Sequence, residues 1–179
     1  MSRGSVTTYP ASRLQLSNGN RPVLPADGSE WDVYWMREAL ALAHQAESQG
    51  EVPVGAVLVS NNKLIGSGFN QPVSGSDPTA HAEIIAIRSA AKKAGNYRLP
   101  NSVMYVTIEP CTMCVGAMIH ARISEVVFGA YEPRAGALCS QHQLGNHPAY
   151  NHRIAYRSGV LDHECSAVMT EFFRHKRKS

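Results

Sequence analysis

His81-Ala82-Glu83 and, further along, Pro110-Cys111-Thr112-Met113-Cys114 are the residues whose types and spacing could do chemistry. One imidazole and two thiols supply three ligands for a tetrahedral zinc and leave the fourth position to water. Glu83, two residues from the histidine, is a carboxylate able to move protons to and from that water. Cys111 and Cys114 are i and i+3, so on the first turn of a helix they share a face. His81 and Glu83 are i and i+2 and diverge in mid-helix, so they meet at one ion only near a helix end. Two helix N-termini facing a shared zinc satisfy both spacings, and their positive dipole ends favour the thiolates.

Taken alone, C-x-x-C also fits a redox pair or half of a structural zinc knuckle. A structural site closes with four protein ligands, whereas this pattern offers three and an acid. Cys139 or Cys165 could be a fourth ligand, but neither has a partner at ligand spacing, and both read as ordinary thiols. The order H-x-E…P-C-x-x-C resembles the signature of zinc nucleobase deaminases.

The elements that must position these residues follow along the chain. Residues 1–28 are rich in Ser, Gly, Asn and Pro without periodicity, and read as a disordered extension. From Ser29, Trp31, Tyr34, Trp35, Leu42, Ala43 and Ala46 recur at helical spacing, with Gly50 at the stop. Val54–Val59 and Leu64–Phe69, joined at Asn61-Asn62, read as a hairpin. Asp77-Pro78-Thr79 reads as the opening of a helix that carries His81 and Glu83 and stops at Gly95. A buried strand spans Val103–Ile108, and the cysteine helix runs from there to about Ala121. A short strand at Val126–Gly129, a Gly- and His-rich loop, a strand near Arg153–Arg157 and a helix from Asp162 to Lys176 complete the pattern. Such alternation implies helices on both faces of a mixed sheet, with both metal-binding helix starts at one sheet edge.

A length of 179 residues with 44% hydrophobic content suits one domain, residues 29–179. No apolar run approaches a membrane span and the N-terminus lacks a signal-peptide core, so the expected location is cytoplasmic. Four cysteines in a reducing compartment indicate metal ligation and free thiols. A net charge of +3 does not point to nucleic acid, but Arg174-His175-Lys176-Arg177-Lys178 concentrates cations at the end. That cluster fits either a phosphate contact or a solvated terminus.

From Trp31 to Lys178 the chain resembles the bacterial tRNA adenosine deaminases. The resemblance is carried by Glu51-Val52-Pro53-Val54-Gly55-Ala56, Asp77 to Glu83, Asn96-Tyr97-Arg98-Leu99, Gly116 to His120, Val126 to Ala130, Asn151-His152-Arg153 and Phe172-Phe173-Arg174. It implies a three-layer α/β/α cytidine-deaminase-like fold around a five-stranded mixed sheet. It also implies a homodimer, one zinc per chain with no organic cofactor, and conversion of the wobble adenosine of a tRNA anticodon to inosine. An exposed Trp31 helix and Met118-Ile119 region would gain from burial between subunits.

In that chemistry Glu83 takes the proton of the zinc-bound water, gives it to N1 of adenine and later protonates the amine leaving C6. Asn70 resembles the family's base-orienting asparagine, though it could simply end the hairpin. The Ala82 amide, at a helix start without an intrahelical partner, is a possible donor to the base. Loop 131–150 carries Tyr131, Glu132 and His147, types that stack on bases or contact phosphates. Glu132 stands where relatives commonly have Asp. Phe172 and Phe173, with Arg174, resemble the family's aromatic pair at the anticodon loop, though aromatics at a helix end are also ordinary core residues. Two rivals remain: a deaminase of free cytidine, deoxycytidylate or guanine, and a non-catalytic zinc module that binds RNA, which retention of Glu83 argues against.

Overall fold

The computed structural model describes residues 29–178; the expectation for residues 1–28 lies outside them. In chain order the elements are α1 (Ser29–Ser48), β1 (Gly55–Ser60), β2 (Lys63–Phe69), α2 (Ala82–Ala94), β3 (Val103–Ile108), α3 (Thr112–Ala121), β4 (Glu125–Ala130), β5 (Ala155–Ser158) and α4 (Asp162–Lys176). A short 3₁₀ turn at Leu144–Asn146 interrupts the long loop before β5.

The five strands lie in the order β2-β1-β3-β4-β5. β1 is antiparallel to both β2 and β3, while β3, β4 and β5 run parallel. Side-chain alternation along each strand feeds two cores. Ala56, Leu58, Met104, Val106, Val126 and Phe128 pack with α2 and α3. Val57, Val59, Tyr105 and Val127 pack with residues of α1 and α4. This is the three-layer α/β/α arrangement expected, its central strands buried on both faces as sheets sandwiched between helices must be.

Asn61 and Asn62 turn the hairpin with φ of 49° and 54°, the left-handed pair that a two-residue hairpin needs. β2 and β3 point the same way with β1 between them, so α2 and α3 both begin at one sheet edge. α2 lies hard against β2. A Cβ at Gly68 would come within 2.5 Å of the Ala82 carbonyl oxygen, and one at Gly66 within 2.4 Å of that of Ala86. On the other face Asp32 of α1, 2% exposed, receives the Tyr105 hydroxyl at 2.9 Å and the Arg157 guanidinium. That network ties α1 to β3 and β5.

Three expectations need correction. The second helix opens at Ala82, not at Asp77-Pro78-Thr79, because Asp77 Oδ1 accepts both the Thr79 N–H at 2.8 Å and its hydroxyl at 2.6 Å. That local turn competes with helix. The last strand is Ala155–Ser158, shifted from Arg153–Arg157. Met118 and Ile119 are buried in the monomer at 0% and 3% exposure, so they offer no subunit surface.

Candidate active site

His81 and Cys111 are the N-cap residues of α2 and α3, each in extended conformation immediately before its helix. Cys114 stands one turn into α3, within reach of Cys111. The sulfurs of Cys111 and Cys114 are 3.7 Å apart, and His81 Nδ1 lies 3.7 Å from the first and 3.6 Å from the second. Tetrahedral coordination at the usual zinc–sulfur and zinc–nitrogen lengths requires about 3.8 Å between sulfurs and about 3.5 Å between sulfur and nitrogen. The three atoms therefore stand where one zinc ion would fill the space between them. Among the described residues this is the group of side chains spaced to hold a metal.

The electrostatics suit a cation. Hydrogen bonding from the Cys114 thiol, with further help from His81, lowers Cys111 to about 4. The same contact raises Cys114, which burial reinforces. Metal ligation requires both sulfurs as thiolates, so a bound cation would displace any proton they share. His81 is held above its ordinary value, first by its hydrogen bond with Cys111.

Glu83, in the first turn of α2, is 4% exposed, and burial raises its carboxyl above the ordinary range. Its electrostatic neighbours are Cys111, His81 and Cys114, the metal-binding cluster. A buried carboxyl beside an open metal position is suited to exchanging protons with whatever occupies it.

The remaining expected residues fall into two groups. Asn70, 7% exposed, follows β2, and its Oδ1 accepts the Ala82 N–H at 2.8 Å. The Ala82 amide, expected to be free for a base, is thus already used. Asn70 is fixed with its oxygen toward the helix start, so its carboxamide nitrogen is the donor left for other partners. Tyr131 is exposed, bonded through its hydroxyl to Ser158 Oγ at 2.7 Å. Glu132 Oε1 accepts the Arg134 N–H at 2.9 Å. His147 Nδ1 accepts the Ala149 N–H at 3.3 Å, and its ring meets Tyr150 edge-on.

Phe172 is 7% exposed and so a core residue, whereas Phe173 beside it is 43% exposed. Arg174 reaches Glu171 at 3.8 Å on the outer face of α4. Cys165 lies in the core on the α1 and α4 side of the sheet, away from the cluster. The Cys139 thiol points to Glu109 Oε1 at 3.6 Å. Neither belongs to the group of side chains spaced to hold a metal.

Besides Asp32 beneath the other face of the sheet, two buried carboxylates that residue spacing does not point to, Glu51 and Glu109, border the site. Glu51, 2% exposed, accepts the Val73 and Ser74 N–H groups at 3.2 and 2.6 Å and holds the loop leading to His81. Glu109, 3% exposed, accepts amides of the loop after β4. Their signal was an acid next to a Pro- or Val-Pro step at the margin of a buried strand, where a charge must find partners.

A family model for the cytidine and deoxycytidylate deaminase zinc-binding region matches residues 29–130, spanning α1 to β4. The chain is 51% identical to a tRNA-specific adenosine deaminase of Haemophilus influenzae over 84% of this chain and 87% of that one. It is 42% identical to the tRNA-specific adenosine deaminase of Bacillus subtilis over 82% and 91% of the two chains. A solved structure from a study of A-to-I editing by tRNA:A34 deaminases at the wobble position matches with a TM-score of 0.74 and 39% identity, covering 75% of this chain and 98% of that one. The fold, the metal-binding cluster with its buried acid, and these similarities agree: the chain belongs to the tRNA-specific adenosine deaminases, zinc enzymes of the cytidine and deoxycytidylate deaminase superfamily.

Proposed function

We propose that this chain hydrolyses the exocyclic amine of the wobble adenosine in a tRNA anticodon, giving inosine and ammonia. The observation that carries the reading is the His81–Cys111–Cys114 cluster with the buried Glu83 carboxyl beside it, in a chain of this family. Zinc held by those three residues would lower the pKa of bound water, an effect that two thiolates temper.

Glu83 accepts the proton that the water gives up and delivers it to N1 of adenine. The hydroxide so formed adds to C6; Glu83 then takes the proton of the new C6 hydroxyl and passes it to the amine, so that the C6–N bond breaks, ammonia leaves and a C6 carbonyl remains. A carboxyl raised by burial is matched to both halves of this task. Asn70 orients the base through its carboxamide nitrogen, its oxygen being held by Ala82. Tyr131, Glu132 and His147 contact the flanking nucleotides, and Phe173 with Arg174 reaches the anticodon loop from α4. Phe172 supports them from the core.

The enzyme acts as a homodimer, as its resemblance to the tRNA adenosine deaminases implies, and its place is the cytoplasm, which fits action on tRNA. No described helix is long and apolar enough to cross a membrane. Light scattering should give twice the 19.5 kDa chain mass; the mass of one chain at working concentration would contradict the dimer.

Sequencing for inosine in tRNA incubated with the zinc-loaded protein tests the reaction. Inosine confined to the wobble position supports it. Turnover of free cytidine, deoxycytidylate or guanine in place of tRNA would assign the site to a different substrate.

A further inference from the structure

Glu109 lies between the end of β3 and the Pro110-Cys111 turn, two residues from a metal-binding sulfur. Its carboxylate is the hub of the loop that follows β4. Oε1 accepts the N–H groups of Leu138, Cys139 and Ser140 at 3.1, 2.9 and 3.0 Å, and the Cys139 thiol at 3.6 Å. Oε2 accepts the Glu132 N–H at 3.3 Å and the Ser140 hydroxyl. Bonds from so many donors to one charged acceptor are the strong kind and fix the geometry of the segment that supplies them.

The same loop is fastened to the metal-binding turn by a second route. Gly136 pairs with Cys111 in an isolated antiparallel bridge, and the Ala137 N–H donates to the Pro110 carbonyl at 2.9 Å. The approach leaves no room for a side chain: a Cβ on Gly136 would lie 2.3 Å from Glu109 Oε2. Ala137 and Leu138 are buried beneath, while Tyr131, Arg134 and His142 are exposed above. Glu109, Cys111 and Gly136 thus lock a loop whose exposed side chains are of aromatic and cationic types to the backbone of a metal-binding residue.

We propose that Glu109 is a positioning residue that sets the register of loop 131–142 against the Cys111 turn, so that a nucleotide gripped by the loop presents its base to the metal. The inference rests on the tRNA reading above. It assigns Glu109 to substrate recognition and not to proton transfer, because every direction from its oxygens that the structure describes is taken by loop donors.

The test compares zinc-loaded wild type with Glu109→Gln and Gly136→Ala, using an anticodon stem-loop with adenosine at the wobble position. Gln keeps the shape but turns an amide donor toward a cluster of donors. The Gly136→Ala side chain pushes the carboxylate from its place. Each variant should keep about one zinc per chain and raise KM on the order of tenfold, with kcat within about threefold of wild type. Amide hydrogen exchange across residues 132–142 should rise in both, and Glu109→Asp, which keeps the charge, should recover part of the KM. Unchanged KM in both variants overturns the proposal, as does a fall in kcat with loss of zinc at unchanged KM. If Glu109→Gln does not fold, Gly136→Ala carries the same test. Wild type that turns over no stem-loop sinks the functional reading instead, and is seen before any variant is compared.

Discussion

The Ala82 N–H donates to Asn70 Oδ1 across 2.8 Å, joining the chain just after β2 to the first turn of α2. This bond satisfies a helix-start amide that has no intrahelical partner, and it sets the direction of the turn between His81 and Glu83. Asn70→Ala should strand a buried donor and cost about 1–3 kcal/mol of stability. Asn70→Asp keeps the acceptor and should melt close to wild type, yet still lose activity, because it lacks the carboxamide donor. Equal melting temperatures for the two variants would refute the structural half of this assignment.

Glu83 tests the proton-transfer role. Glu83→Ala should fold and retain zinc while losing activity by about 10²–10⁴-fold, the usual contribution of general acid–base transfer. Single-turnover rates on a tRNA substrate within about threefold of wild type would remove Glu83 from the mechanism.

Metal content separates the cysteines. Alanine at His81, Cys111 or Cys114 should lower zinc well below one per chain by atomic absorption. Cys139→Ser and Cys165→Ser should leave it unchanged, since one thiol points to Glu109 and the other is buried beneath the opposite face of the sheet. Loss of zinc in either serine variant would mean a closed, four-ligand site.

Glu51 makes a prediction in pH. Burial pushes its carboxyl upward, but hydrogen bonds from Ser74 and Val73 outweigh that and hold it below the ordinary carboxylate value. A group whose folded pKa is depressed stabilises the fold above its unfolded pKa, and loses that contribution as pH falls through the folded pKa. Glu51→Gln should therefore be less stable than wild type by about 1–3 kcal/mol near neutrality. Denaturant melts should show the gap closing on acidification below the ordinary carboxylate range; a gap independent of pH would contradict the charge-based account.

The basic end of α4 is ordered helix through Lys176, whose ammonium lies 5.6 Å from the Phe172 ring centroid. Replacing Arg174, Arg177 and Lys178 by alanine should leave zinc and fold intact, weaken tRNA binding and flatten its salt dependence, by about 0.7–0.9 in slope for each phosphate no longer neutralised. Binding titrations at two ionic strengths with parallel slopes would place the RNA surface elsewhere.

The metal-binding residues, the acid beside them and the order of strands and helices were legible from residue types and spacing, because those are local properties. Ligands at i and i+3 share a helix turn whatever surrounds them, and an apolar run of β-branched residues is a strand wherever it packs. Resemblance to a known family supplied the fold and the substrate. What the chain alone did not disclose depends on groups far apart in sequence. A helix-start amide such as that of Ala82 has no partner nearby in sequence; its acceptor is Asn70, twelve residues earlier. Asp77-Pro78-Thr79 has the composition of a helix start, but the Asp77 side chain captures Thr79 in a local turn. Met118 and Ile119 looked available to a partner, yet the sheet covers them. Which loop amides surround Glu51 and Glu109 is visible only in the tertiary fold. A buried charge is stable only where distant donors converge on it, and convergence of that kind is decided by topology.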